Sequence, residues 1–264
     1  MFIIFSPKIL VYMYIFSIAK FVKNSIVFSH FYKKLHKEER LDSIKKIRYA
    51  IGKLEVLGLK LYLIRHGETD WNKEFKIQGS SDIELNEYGR ELAFITREGL
   101  RHIPFDIAYT SPLKRAKETA EIILGGRNIP LYEDKRVQEA CFGSFEGATL
   151  KKLRERQDPF LKFFDAPEEF KKIEGCETHE EVIARSSDFF NDMILPNEKK
   201  YQHIAVFSHG AWIHSLLTYI YQREIKEYWH APRQENCGVT TIQIEDGVCH
   251  VLKESEIFYN KDGE

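Results

Sequence analysis

The sequence predicts an α/β domain, a three-layer sandwich in which a mostly parallel mixed sheet carries helices on both faces. Three observations lead there. From Leu59 onward, short apolar runs alternate with segments of helical period. The helical segments carry their own start signals at Asn86, Ser111-Pro112 and Thr178. The chain then closes on two strand-like runs around Asp246-Gly247, a hairpin that adds antiparallel strands.

The elements follow in order. Residues 59–64 form an apolar strand. Asn86 caps a helix reaching about residue 100, with Tyr88, Leu92 and Ile95 near one face. Residues 105–109 are a short strand. Ser111 is an N-cap candidate and Pro112 suits the first helical position, so a helix runs from there to Leu124 and stops at Gly125-Gly126. Residues 150–164 read as an amphipathic helix ending before Pro167. Residues 178–194 read as another, opened by a Thr178/Glu181 capping box. Residues 203–207 are a buried strand and 212–221 an apolar helix. Residues 239–244 and 248–253 make the closing hairpin.

Bulk composition bounds the function. With 264 residues, 43% hydrophobic and 30% charged, the chain has the composition of a soluble globular protein. Its net charge of −1 hides a division. Residues 1–58 carry 11 Lys and Arg against 4 Asp and Glu, a net of +7, which leaves residues 59–264 at −8. We read 1–58 as an N-terminal extension and 59–264 as one domain. A net-acidic body argues against a nucleic-acid surface. Cys141, Cys176, Cys237 and Cys249 are widely spaced and form no CxxC pair, which fits reduced thiols in a cytoplasmic protein. His209 and His214 lack the intervening Glu of a zinc-protease helix, and no metal or cofactor is expected.

Three readings stand for the extension. Residues 9–19 are largely apolar, but shorter than the roughly 20 residues of a spanning helix. Lys20, Lys23, Lys33 and Lys34 follow, so residues 1–34 can associate with a membrane from the cytoplasmic side. The segment can equally be a helical extension, or upstream sequence read from an early start codon.

Two predicted strands end in similar chemistry, Ile64-Arg65-His66-Gly67 and Phe207-Ser208-His209-Gly210. Strand ends that face helix starts are where open α/β sheets hold ligands. Glycine after each histidine lets a ligand approach the backbone. An Arg beside a His suits an anion better than a core.

At these residues a resemblance emerges. Arg65-His66-Gly67-Glu68-Thr69, with Trp71-Asn72 behind it, resembles the signature of the histidine phosphatase superfamily, the phosphoglycerate-mutase-like proteins. Gln78-Gly79 with Asp82, Leu85 and Gly89 is similar to the family's next segment. The run from Ser111 to Ala120, which contains Arg115, resembles its second block. Glu139 with Phe142-Gly143 and Glu146-Gly147 resembles its acid block, and Ser208-His209-Gly210 its last. The resemblance spans residues 59–252.

The resemblance implies roles. His66 would be a nucleophile that forms a phosphohistidine, and Glu139 the acid and then the base. Arg65 and Arg115 would clamp the phosphoryl oxygens, with His209 donating a further hydrogen bond. Asn72, Gln78, Gly79 and Gly210 would complete the phosphate pocket. His214 and His230 are expected in structural or surface roles.

The compact stretch between Glu139 and Ser208 is similar to small-molecule phosphatases, including α-ribazole phosphatases. The longer insertion of true phosphoglycerate mutases is not found. The expected activity is therefore metal-independent hydrolysis of small-molecule phosphomonoesters. A phosphoglycerate mutase and a non-catalytic binding module on the same fold are the alternatives. The Phe-rich segment from Phe160 to Phe170 is expected to form an apolar lid.

Overall fold

The computed structural model describes residues 58–260. Apart from Gly58, the extension at residues 1–58 and its three readings lie outside the described residues. Strand β1 (Leu59–Arg65) leads into a single turn α1 (Asp70–Lys73) and helix α2 (Glu87–Gly99). Strand β2 (Ile107–Thr110), helix α3 (Lys114–Leu124) and strand β3 (Leu131–Glu133) follow. Two short helices, α4 (Leu150–Glu155) and α5 (Lys162–Asp165), precede the longer α6 (His179–Phe189). Strand β4 (His203–Ser208) runs into α7 (Gly210–Tyr221), and β5 (Val239–Glu245) with β6 (Val248–Glu256) closes the domain. No helix of the described residues is long and apolar enough to cross a membrane.

The sheet order is β3-β2-β4-β1-β5-β6. Strands β3, β2, β4 and β1 pair in parallel, and β5 and β6 add antiparallel. The central strands are buried on both faces, which is why they read as continuous apolar runs. Their residues alternate between two cores. Leu61, Leu63, Ile204 and Val206 meet Trp212, Leu216 and Phe189 of α7 and α6 on one face. Tyr62, Ile64, Ala205 and Phe207 meet Leu92, Ala120 and Ile123 of α2 and α3 on the other. This is the three-layer sandwich that the alternating pattern predicts.

Several local expectations hold for stated reasons. Asn86 accepts from the Gly89 amide, and Thr178 and Glu181 form a reciprocal capping box. Asp246 and Gly247 both have positive φ, 50° and 77°, as a tight hairpin turn requires.

Others are corrected. Helix α3 begins at Lys114 with Leu113 as its cap, two residues beyond the predicted start. Ser111 spends its hydroxyl earlier, accepting from the Leu113 amide within the turn that leaves β2. The predicted helix at 150–164 is broken, because Gln157 has a φ of 51° and Asp158 is extended before Pro159, as residues preceding proline are. Strand β3 is too short and exposed to be read as a strand from sequence. The buried face of α2 is Gly89, Leu92, Ala93 and Thr96, while Tyr88 stands 44% exposed. The Phe-rich segment is mostly core: Phe160 and Phe163 are fully buried and pack on Phe142, His179 and Phe145.

One contact ties the fold to the loop after β1. The amide of Asn86 donates to the Glu68 carbonyl at 3.0 Å, and its side chain donates to the Glu68 carboxylate at 2.9 Å. A Cβ at Gly89 would lie 2.1 Å from the Glu68 carbonyl oxygen, so helix and loop touch through bare backbone. Gly89→Ala is expected to cost about 1–3 kcal/mol by overpacking. That corresponds to a fall of about 2–12 °C in the thermal midpoint, and a melt followed by circular dichroism checks it.

Candidate active site

Strands β1 and β4 lie side by side with Arg65 opposite Ser208. The next residue on each strand is a histidine, so the rings of His66 and His209 come to 5.1 Å between centroids. The His66 ring Nδ1 lies 2.7 Å from the Gly67 carbonyl oxygen. A carbonyl only accepts, so Nδ1 carries the proton and Nε2 keeps its lone pair. His66 is 2% exposed. Burial lowers its pKa well below the ordinary 6.5, and the charges of Arg115 and Arg65 add to this against the Gly67 hydrogen bond. His209 is fully buried, and neither ring nitrogen has a partner among the described residues. Its pKa is also well below 6.5, through burial and then Arg115 and His66.

Two arginines face these rings. Arg115 is fully buried on the first turn of α3. Its terminal nitrogens donate to the carbonyls of Ser81 and Gly79, both at 2.7 Å, and its Nε is buried without a partner. Arg65 donates from Nη1 to the Gln234 carbonyl at 2.7 Å and leaves its Nε unpartnered. Burial brings the Arg115 pKa down to about 10, with Glu139 and Asp82 opposing, so it remains a cation near neutral pH. Each guanidinium is thus fixed by backbone oxygens on one side, with an unpaired N–H remaining. Those are donors in want of an acceptor.

The Gly79 loop owes its shape to Glu146. That carboxylate accepts from the Ser80 amide and hydroxyl, both at 2.8 Å, from the Ser81 hydroxyl at 2.5 Å and from the Phe142 amide at 3.0 Å. Burial opposes its charge, but these hydrogen bonds hold its pKa below the ordinary carboxylate range. Gly79 has a φ of +58°, and a Cβ there would lie 2.2 Å from the Glu146 carboxylate. Gln78 is 8% exposed with its Oε1 unpartnered. Asn72 completes the capping box of α1 opposite Thr69, its Oδ1 accepting from the Thr69 amide at 3.2 Å.

Glu139 sits against the start of α7. Its Oε2 accepts from the Ala211 amide at 3.2 Å, and its Oε1 from the amides of Trp212 and Ala140 at 3.1 and 3.0 Å. Helix N-terminal amides suit a carboxylate. Gly210 lies between the two charges: a Cβ there would be 3.8 Å from both Arg65 Nε and Glu139 Oε2.

Sequence reasoning missed the residues that hold Glu139. Arg185 of α6 donates to the carbonyls of Arg136, Gln138 and Glu139 at 3.0, 2.6 and 2.9 Å. It also pairs with the carboxylate of Glu177, at 2.8 and 2.9 Å, and Glu177 accepts from the Cys141 amide at 2.8 Å. The one signal was an arginine set between Val182 and Phe189 on the apolar stripe of a helix.

A cavity of about 330 Å³ opens at this edge of the sheet. Arg65, His66, Asn72, Gln78, Gly79 and Arg115 line it, as do Glu139 and Gly210. His209 is the remaining residue singled out from the sequence, and it reaches the group through its contact with His66. His214, expected in a structural or surface role, is buried and also lines the cavity, whereas His230 has a side chain 64% exposed. Among the described residues no three His, Cys, Asp or Glu side chains are grouped to hold a metal ion. The arrangement offers a neutral imidazole with a free lone pair, two desolvated guanidiniums and a carboxylate, which suits capture of a tetrahedral anion.

The chain is 38% identical over 160 residues to "Uncharacterized phosphatase PhoE" of Bacillus subtilis, covering 60% of this chain and 75% of that one. It is 35% identical over 187 residues to "Probable 2-carboxy-D-arabinitol-1-phosphatase" of Arabidopsis thaliana. That match covers 70% of this chain but 38% of the plant protein, so the chain spans well under half of that relative. The solved structure of YhfR from Bacillus stearothermophilus superposes with a TM-score of 0.71 at 32% identity, covering 75% of this chain and 98% of YhfR. Residues 61–256 match the family described as the histidine phosphatase superfamily (branch 1). That span contains both histidine-bearing strand ends and the loops that surround them, and the chain belongs to this superfamily.

Proposed function

We propose that the protein is a metal-independent phosphatase that hydrolyses small-molecule phosphomonoesters through a phosphohistidine on His66. The observation that carries this reading is the His66 ring. Its Nδ1 is tied to the Gly67 carbonyl, its Nε2 is free, and its charged form is suppressed by burial and two arginines. In the proposed first step Nε2 attacks phosphorus and the ester P–O bond breaks. Glu139 relays a proton, taken from solvent or from the substrate's own monoanion, to the departing oxygen, and the alcohol leaves. Water then attacks the phosphohistidine, Glu139 takes its proton, the N–P bond breaks and inorganic phosphate departs. Arg65 and Arg115 hold the phosphoryl oxygens through both steps, and His209 stabilises their charge. An α-ribazole phosphatase-like substrate is a narrower form of the same reading.

Phosphate release from a panel of phosphomonoesters, measured with EDTA present, tests the proposal. His66→Ala is expected to lower kcat by about 10³-fold or more. Unchanged activity would overturn the mechanism. Isomerisation of phosphoglycerate without phosphate release would point to a mutase, and no turnover on any ester to a binding module.

The pH profile tests His66 separately. A depressed pKa keeps the imidazole neutral to more acid pH than an ordinary histidine. Any loss of kcat/KM on acidification should therefore set in below 6.5, the ordinary histidine value. An acid limb centred at 6.5 or above would contradict the proposed state of the nucleophile.

Arg185 generates a third expectation. It orients the loop bearing Glu139, so Arg185→Ala should weaken proton donation to the leaving group. The loss in kcat/KM should be about tenfold greater for glycerol phosphate, whose alkoxide needs the proton, than for p-nitrophenyl phosphate, whose phenolate leaves unaided. Equal losses would mean that Arg185 supports only the fold.

A further inference from the structure

The cations of the site account for a phosphoryl group, but the cavity holds more. Its volume of about 330 Å³ lies within the range of clefts that take a small organic ligand, roughly 300–1,000 Å³. Much of the remaining wall is apolar, with Phe75, Leu150, Phe164 and Trp229 among its members. Lys76, also on the wall, is paired with Glu74, and Arg233 stands exposed to solvent. His214 is buried, and burial brings its pKa to about 4, so it adds no charge to the wall near neutral pH.

Phe75 is the telling residue. Its φ is 54°, the left-handed position that closes the end of α1. The residue is also 70% exposed. The exposed aromatic surface is unfavourable, and the packing of the fold does not account for it. The backbone is nonetheless firmly held. The Phe75 amide donates to the Asn72 carbonyl at 3.1 Å, the Leu150 amide donates to the Phe75 carbonyl at 3.3 Å, and the Lys76 amide donates to the Trp71 carbonyl at 2.8 Å. The ring is thus presented beside Asn72 on a fixed support. Phe164 and Trp229 are supported differently, by each other at 5.7 Å between ring centroids and by the aromatic core behind Phe164.

We infer that Phe75, Leu150, Phe164 and Trp229 seat an apolar leaving group, so that the substrate is a phosphomonoester of an aromatic or similarly bulky apolar alcohol. This rests on the reading of the His66 pocket as a phosphomonoester site. It also relocates the apolar surface expected at Phe160 to Phe170. Of that segment only Phe164 faces the cavity, and the exposed ring comes from a distant part of the sequence.

Binding of inert phosphonates to the full chain tests the seat without relying on turnover. By calorimetry, 1-naphthylmethylphosphonate should bind at least about tenfold more tightly than methylphosphonate, the gain expected for covering an aromatic-sized apolar surface. Phe75→Gly removes the ring and accepts the left-handed backbone, so it should fold with an unchanged or higher thermal midpoint. In that variant the affinity ratio should fall to about twofold or less. Phe75→Asn, which also tolerates this conformation, should behave alike. Equal affinities for the two phosphonates in the unmodified protein would overturn the proposal, as would a ratio unaffected by both substitutions. If the ratio is as expected while no phosphomonoester is hydrolysed, the phosphatase reading falls and the apolar seat stands.

Discussion

The parallel register of β1 on β4 is the constraint on which the rest of this site depends. Arg65 stands opposite Ser208, so the following residue of each strand brings a histidine to the same edge of the sheet. Each strand then turns away through a glycine. Gly67 leaves room for the carbonyl of Gly89, and Gly210 opens α7 beside Arg65 and Glu139. A slip of one residue in this pairing would point one histidine into a core and leave the other without its neighbour. Two apolar cores, one on each face, hold the register.

Burying this much polarity is costly, and the structure offsets it with backbone oxygens and amides. Arg115 is fully buried, yet it is held by the carbonyls of Gly79 and Ser81. Glu146 shapes that loop, and Glu139 rests on the first amides of α7. The same burial that requires these supports also keeps His66 and His209 uncharged. Desolvation therefore serves the proposed chemistry directly. A neutral imidazole retains a lone pair, and guanidiniums away from water act more strongly on an anion.

Support for the site comes from elements far apart in the chain. Arg185 reaches the carbonyls of residues 136, 138 and 139 from a different helix, and Glu177 bridges it to Cys141. Leu150 anchors Phe75 across another such gap. The residues proposed to face phosphate are thus mounted on the sheet and its helix starts, while the apolar wall is assembled from loops and short helices. The proposed division of labour follows from this: a rigid edge for chemistry at phosphorus, and a separately built wall for the group attached to it.

The sequence by itself determined the layers of the fold and the residues that meet at the sheet edge. Buried parallel strands leave continuous apolar runs, and caps leave Asn86 and Thr178. Charged groups placed directly after such a strand emerge where the core ends, at the edge that can meet a ligand. Sequence was less reliable where local signals compete. The break at Pro159 was present in the chain but overridden by apolar periodicity, and the Ser111-Pro112 start was displaced by the turn leaving β2. Only the tertiary structure decided the strand order, the grip of Arg185 on the Glu139 loop, the burial of Phe160 and Phe163, and the exposure of Phe75. These depend on contacts between distant segments and on one left-handed backbone angle, and neither leaves a periodic mark in the chain.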